Sequence, residues 1–201
     1  MSDRERILTA VRRAVQRRVP EPDAYAGPGG TADWSSFREV LESVGGQALG
    51  PVARDELTGL VAGLVDRTQT SRVVVAGAAA DLLGAGPWQR LSDQTDPREL
   101  DDVELAILLG SLGVTENGAV ALEGSNARLR ALPFLCQHLV LLLDATALVS
   151  DMHAATRRMP EDATAHHHYT WISGPSKTAD IELALVLGAH GPRSLRVVGF
   201  R

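Results

Sequence analysis

Ser71-Arg72-Val73-Val74-Val75-Ala76-Gly77 is short, rich in β-branched residues and bounded by turn-forming residues at both ends. A strand wetted on one face alternates polar and apolar residues. This run does not alternate, so both faces must be covered, which is the mark of a strand buried in a parallel sheet. Leu139 to Leu143 (LVLLL) repeats the signature, and Leu195 to Phe200 (LRVVGF) reads as a further strand. Helical periods lie between these runs. Asp33 to Val44 spaces Trp34, Phe37, Val40 and Leu41 for burial, and Asp55 to Arg67 does the same with Leu57, Leu60, Val61 and Leu64. Helices alternating with buried strands predict an α/β fold, a mostly parallel sheet flanked by helices.

Around this centre the pattern is uneven. Gln47 to Leu49 and Ala119 to Leu122 read as strands, and Val103 to Leu109 suits either strand or helix. Residues 78–98 carry little signal, and Glu123 to Arg130 (EGSNARLR) reads as a polar loop. Asp151 to Met159 is expected to be helical, with a loop at 160–168 holding three histidines. From Trp171 to Pro192 (WISGPSKTADIELALVLGAHGP) the expected order is strand, tight turn, helix, turn. At the other end, residues 2–18 form an amphipathic helix with Ile7, Leu8, Val11 and Val15 on one face, and the Pro/Gly-rich stretch 19–31 reads as a linker. The chain therefore divides into an N-terminal helical extension and linker at 1–31 and one α/β domain at 32–201. The extension is expected to pack on a partner subunit, as in a homo-oligomer, or to fold back.

Composition excludes some functions. A net charge of −5 argues against nucleic acid as the main partner, since a phosphate backbone wants a basic face. No apolar run is long enough to span a membrane, and the N-terminus lacks the apolar core of a signal peptide, so the expected location is the cytoplasm. The single cysteine, Cys136, sits among apolar residues and reads as a buried structural thiol. It forms no intrachain disulfide and cannot by itself hold an iron–sulfur cluster, which takes four ligands.

Two stretches can carry chemistry. A Gly174-Pro175-Ser176 turn feeding a helix would gather backbone N–H groups and hydroxyls at Ser176, Lys177 and Thr178, a setting for an anion. Ser, Thr and Asp180 in those positions equally serve as plain helix caps. Asp180 and Glu182 would repel a highly charged anion, which favours a carboxylate steadied by Lys177 or a ligand hydroxyl accepted by Asp180. The second stretch is the bend Thr115-Glu116-Asn117-Gly118 before a strand. Glu116 there can act as nucleophile or base, or stand as a solvated side chain on an Asn-Gly turn. His190 sits in a turn that suits the same cleft. Of His166-His167-His168, alternate residues share a face, and nothing at ligand spacing completes a zinc set, so no metal site is expected.

SGPSKTADIE followed by GAHGP resembles the signature of the LUD domain family, which includes lactate utilization protein C. GVTENGAV, ALPFLCQHLVLL and the DMHAA segment are similar to one branch of it. The resemblance runs from about Leu100 to Phe200. It implies a NagB/RpiA/CoA-transferase-like three-layer architecture and a part in oxidising L-lactate to pyruvate with iron–sulfur partner proteins. No cofactor is expected on this chain, so clusters would reside in those partners. The expected helix-start geometry together with this resemblance predicts a ligand cleft for a small carboxylate or phosphorylated molecule, lined by Gly174, Ser176, Lys177, Thr178, Asp180, Asn117, Gly118 and His190. Many members carry Ala-Glu-Thr-Gly after the GVT turn, where this chain has Glu116-Asn117-Gly118 directly. Glu-Asn-Gly is itself similar to the nucleophile signature of class I CoA-transferases, which would make Glu116 the residue attacking an acyl-CoA.

Overall fold

A computed structural model describes residues 2–14, 25, 27, 29–92, 94–124, 126–159, 168–179 and 185–201. Its centre is a six-stranded, all-parallel sheet built from β1 (Gln47–Val52), β2 (Val73–Val75), β3 (Gln89–Arg90), β4 (Leu105–Gly110), β7 (His138–Asp144) and β12 (Ser194–Phe200). In space the order is β1-β12-β7-β4-β2-β3. The SRVVVAG run supplies β2 and LVLLL supplies β7, whose residues Leu139 to Leu143 are fully buried.

Alternation along β7 assigns the two faces. Leu139, Leu141 and Leu143 share a core with Trp34, Phe37 and Leu41 of α2 (Trp34–Ser43) and Leu132 of α5 (Ala127–Leu135). Val140 and Leu142 point the other way, into a core with Leu57, Val61 and Leu64 of α3 (Arg54–Thr68) and Ala79, Ala80 and Leu83 of α4 (Ala78–Leu83). Period-two burial on both faces is what a continuous apolar strand requires. Cys136 packs in the first of these cores, and burial pushes its thiol up to about 12. α1 (Asp3–Ala14) buries none of its residues.

A second, four-stranded sheet leans on the first face. It comprises β5 (Leu112–Val114), β6 (Ala119–Glu123), β8 (Leu148–Val149) and β9 (Tyr169–Ile172), in the order β8-β5-β6-β9. Val120 and Leu122 of β6 face the main sheet, whereas Ala119 and Ala121 face outward, toward α6 (Met152–Arg158). This sheet grows directly from the end of β4, where Ser111 N–H donates to the Ala121 carbonyl at 2.9 Å.

Two local readings change. Where a helix is expected from Ser176 onward, β10 (Lys177–Ala179) and β11 (Leu185–Leu187) pair as antiparallel strands, so Ser176, Lys177 and Thr178 do not open a helix; residues 180–184 lie outside the described residues. Val186 and Leu187 are exposed there. The loop expected at 123–130 turns helical at Ala127, because the Asn126 side chain caps α5 by accepting from Leu129 N–H at 3.0 Å. Among the described residues no helix is long and apolar enough to cross a membrane.

Candidate functional site

The two stretches singled out in the sequence meet in space. The Ser173 hydroxyl donates to the Asn117 carbonyl at 2.6 Å, and both turns pack on the C-terminal end of α2. Gly118 has φ +65°, and a Cβ there would stand 2.9 Å from the Leu41 backbone. Gly174 has φ +72°, and its Cβ would stand 2.7 Å from the Val44 carbonyl oxygen. Only glycine tolerates both the angle and the approach. Lys177 Nζ would lie 2.7 Å from a Cβ at Gly45, so its charge sits over the last turn of α2, where the helix dipole is negative.

Glu116 is exposed, and its Oε2 accepts from Met152 N–H at 3.0 Å, at the start of α6. Asp151 caps the same helix end through Ala154 N–H at 2.8 Å. The Asn117 side chain accepts from Ala119 N–H and closes its own turn. Ser176 is braced by backbone bonds to Pro192 and Gly188, and His190 is exposed. Asp180, like His166 and His167, lies outside the described residues. Among the described residues there is no cluster of three or more potential metal ligands.

A different place has the shape of a binding site. From β2 the chain moves outward to β3 at one edge. From β4 it moves the opposite way, to β7 and then β12. Adjacent parallel strands whose connections diverge leave a crevice at their carboxyl ends, where α/β folds bind ligands. Here that crevice is a chamber of about 330 Å³. Ala76, Gly77 and Ala78, following β2, form one wall, and Leu108 and Leu109 of β4 form another. Leu122 and Leu129 close it, and Ser111 and Glu123 are the polar residues of its lining.

Ser111 and Glu123 also line a second cavity of about 210 Å³, which adds Arg158 and Met159 at the end of α6 and Tyr169 and Trp171 of β9. β6–β9 pairing places Glu123 opposite Tyr169 and Ala121 opposite Trp171. Burial, and then the Glu123 charge, raise the Tyr169 phenol above its ordinary value, so it remains a hydrogen-bond donor at neutral pH. The expected site residues Glu116, Asn117, Gly174, Ser176, Lys177 and His190 line neither cavity. Only the glycine ending the SRVVVAG run signals the chamber in the sequence. Ser111, Glu123 and Arg158 belong to no motif and converge because the second sheet folds back over β4.

A model of the LUD domain matches residues 35–198. Lactate utilization protein C of Deinococcus radiodurans is 28% identical over 200 residues, covering 96% of this chain and 92% of that protein. Lactate utilization protein C of Shouchella clausii is 28% identical over 108 residues, covering 52% of this chain and 47% of that protein. This chain thus spans about half the length of some relatives that it matches. The crystal structure of a DUF162 family protein from Deinococcus radiodurans superimposes with a TM-score of 0.58 at 19% identity, covering 83% of this chain and 95% of that one, a likeness of fold.

Proposed function

The chain belongs to the LUD domain family, and from that membership we propose that it serves L-lactate utilization in the cytoplasm as a binding component. Its ligand, a small organic acid, occupies the chamber between β2 and β4. The observation that carries this reading is the chamber's position at the divergence of β2 and β4, with a largely apolar lining that includes Ser111 and Glu123. The names of the relatives support lactate as the acid. Converting lactate to pyruvate releases two electrons and two protons. One cysteine cannot hold a cluster, so the electron acceptor in this reading is an iron–sulfur partner protein.

Deleting the gene should abolish growth on L-lactate and spare growth on glucose. A wild-type copy should restore growth. Ala78→Phe, which puts a ring at the chamber wall from an exposed position, should not. Unimpaired growth of the deletion strain on L-lactate would overturn the assignment, and full rescue by Ala78→Phe would move the site elsewhere.

A further inference from the structure

The apolar stripe of α1 has no floor in its own chain. The helix buries none of its residues, and Ile7 and Val11 are 63% and 52% exposed. These two form one i, i+4 row, and Arg4, Leu8 and Arg12 form the row beside it. The result is a short aliphatic stripe edged by guanidinium groups. A helix of this length is marginal in water, so the stripe needs an apolar surface from elsewhere.

Charge decides which surface. Residues 2–18 hold six arginines against Asp3 and Glu5, a net of +4, and with the whole chain at −5 the remainder carries −9. An anionic bilayer would attract this arm but repel the body behind it, and the stripe lacks the aromatic residues with which interfacial helices enter lipid. The body of a second copy offers the arm the opposite charge. Outside the N-terminal extension, the exposed large apolar residues among the described ones form two patches. On the β10–β11 pair, Leu187 stands opposite Lys177 and the stem of Arg193 lies against Gly188, so that patch is basic. The other patch is Phe134 and Leu135 in the last turn of α5. Leu132 and Cys136 share a core with Leu100 and Val103, which leaves Phe134 and Leu135 at the surface alongside the exposed Asp101 and Asp102. Asp96 and Glu99 continue the acidic rim on the 3₁₀ turn Pro97–Leu100, which packs on α5. Arg98, and the Arg72 that pairs with Asp102, offset only part of it. Arg128 and Arg130 lie toward the start of α5, and the dipole at its end is negative.

We infer that α1 docks on a second copy of this chain, with its Ile7–Val11 stripe on Phe134 and Leu135 and its arginines on the acidic rim. The exchange is reciprocal: each copy gives one arm and receives one, in the two-fold arrangement commonest among homo-oligomers.

Analytical ultracentrifugation of the full chain tests this. The wild type should be a dimer whose Kd weakens at high salt. Ile7→Asp with Val11→Asp should raise the Kd about a hundredfold or more and leave the thermal midpoint of the body unchanged, since α1 buries nothing in its own chain. Leu135→Asp should also give monomers, and mixing these two variants should restore a heterodimer held by one intact exchange. Glu99→Arg with Asp101→Arg, at exposed positions, should weaken the dimer about tenfold or more, and adding Arg4→Glu and Arg12→Glu to the same chain should recover most of that loss. A wild type monomeric at high micromolar concentration, or a dimer that survives both arm substitutions, would overturn the inference. A dimer lost with the arm but kept in Leu135→Asp and in Glu99→Arg with Asp101→Arg would overturn the landing site. Sedimentation of the wild type with phosphatidylcholine–phosphatidylserine vesicles, abolished by the arm substitutions, would assign the stripe to a membrane instead.

Discussion

Glu116, singled out in the sequence as a nucleophile or base, also carries a structural bond in the fold. Its position in a Glu-Asn-Gly bend suits a nucleophile. In the structure its carboxylate receives Met152 N–H and helps hold the start of α6, beside the Asp151 cap. A nucleophile for acyl transfer needs a cavity that brings a thioester to it, and Glu116 lines neither the chamber nor its neighbour. Glu116→Gln keeps an acceptor and should cost under about 1 kcal/mol in urea unfolding, whereas Glu116→Ala should cost about 1 kcal/mol through the lost cap. Intact-mass spectrometry after incubation with acyl-CoA thioesters should show no adduct on the wild-type chain. An adduct lost in Glu116→Gln would return the residue to catalysis.

At the scale of elements, legibility follows burial. β2 and β7 were readable because two covered faces force an unbroken apolar run, and α2 and α3 because one covered face forces a 3.6-residue period. β10 and β11 escaped because an exposed hairpin buries too little to impose alternation. Their residues Val186 and Leu187 stand in solvent. α5 was hidden by Pro133, which sits inside the helix where a break would be expected. The SGP and ENG motifs were legible as special, and in the fold both glycines let their turns press against the end of α2. Gly118→Ala and Gly174→Ala should each cost more than the roughly 1–2 kcal/mol of a left-handed non-glycine residue, because a backbone contact adds to it. Measured by urea midpoints, the double substitution should cost less than the sum, as both act on one helix terminus. Strict additivity would mean that the two turns do not share α2.

For the whole molecule, acid sensitivity comes from carboxylates used as caps and turn locks. Bonds from Ser36 to Asp33, from Thr146 to Asp144 and from Ala154 and Ser150 to Asp151 hold all three below the ordinary carboxylate range. A carboxylate depressed in the folded state stabilises the fold above its unfolded value of about 3.9, and that stability is lost as pH falls through the folded values. The thermal midpoint should therefore stay level near neutrality and drop below about pH 4. Asp151→Asn should start lower at pH 7 and lose less on acidification, and an equal acid loss in both proteins would discount that cap. The α/β class and the parallel sheet could be read from local pattern. The second sheet could not, because the short β5–β6 pair is completed by β8 and β9 from later in the chain, without a continuous apolar signature.

β12 joins the latest-synthesised strand of the main sheet to its interior rather than to its edge, between β1 and β7. Its Arg196 bonds to Gln47, 149 positions earlier. While the nascent chain emerges from the ribosome, β1 has no neighbour in the sheet and β7 offers an open, apolar edge. Both wait for residues 194–200. Such long-range closure is slow, and an unpaired edge recruits other chains, so the apolar edge of β7 is an aggregation hazard until residues 194–200 have paired.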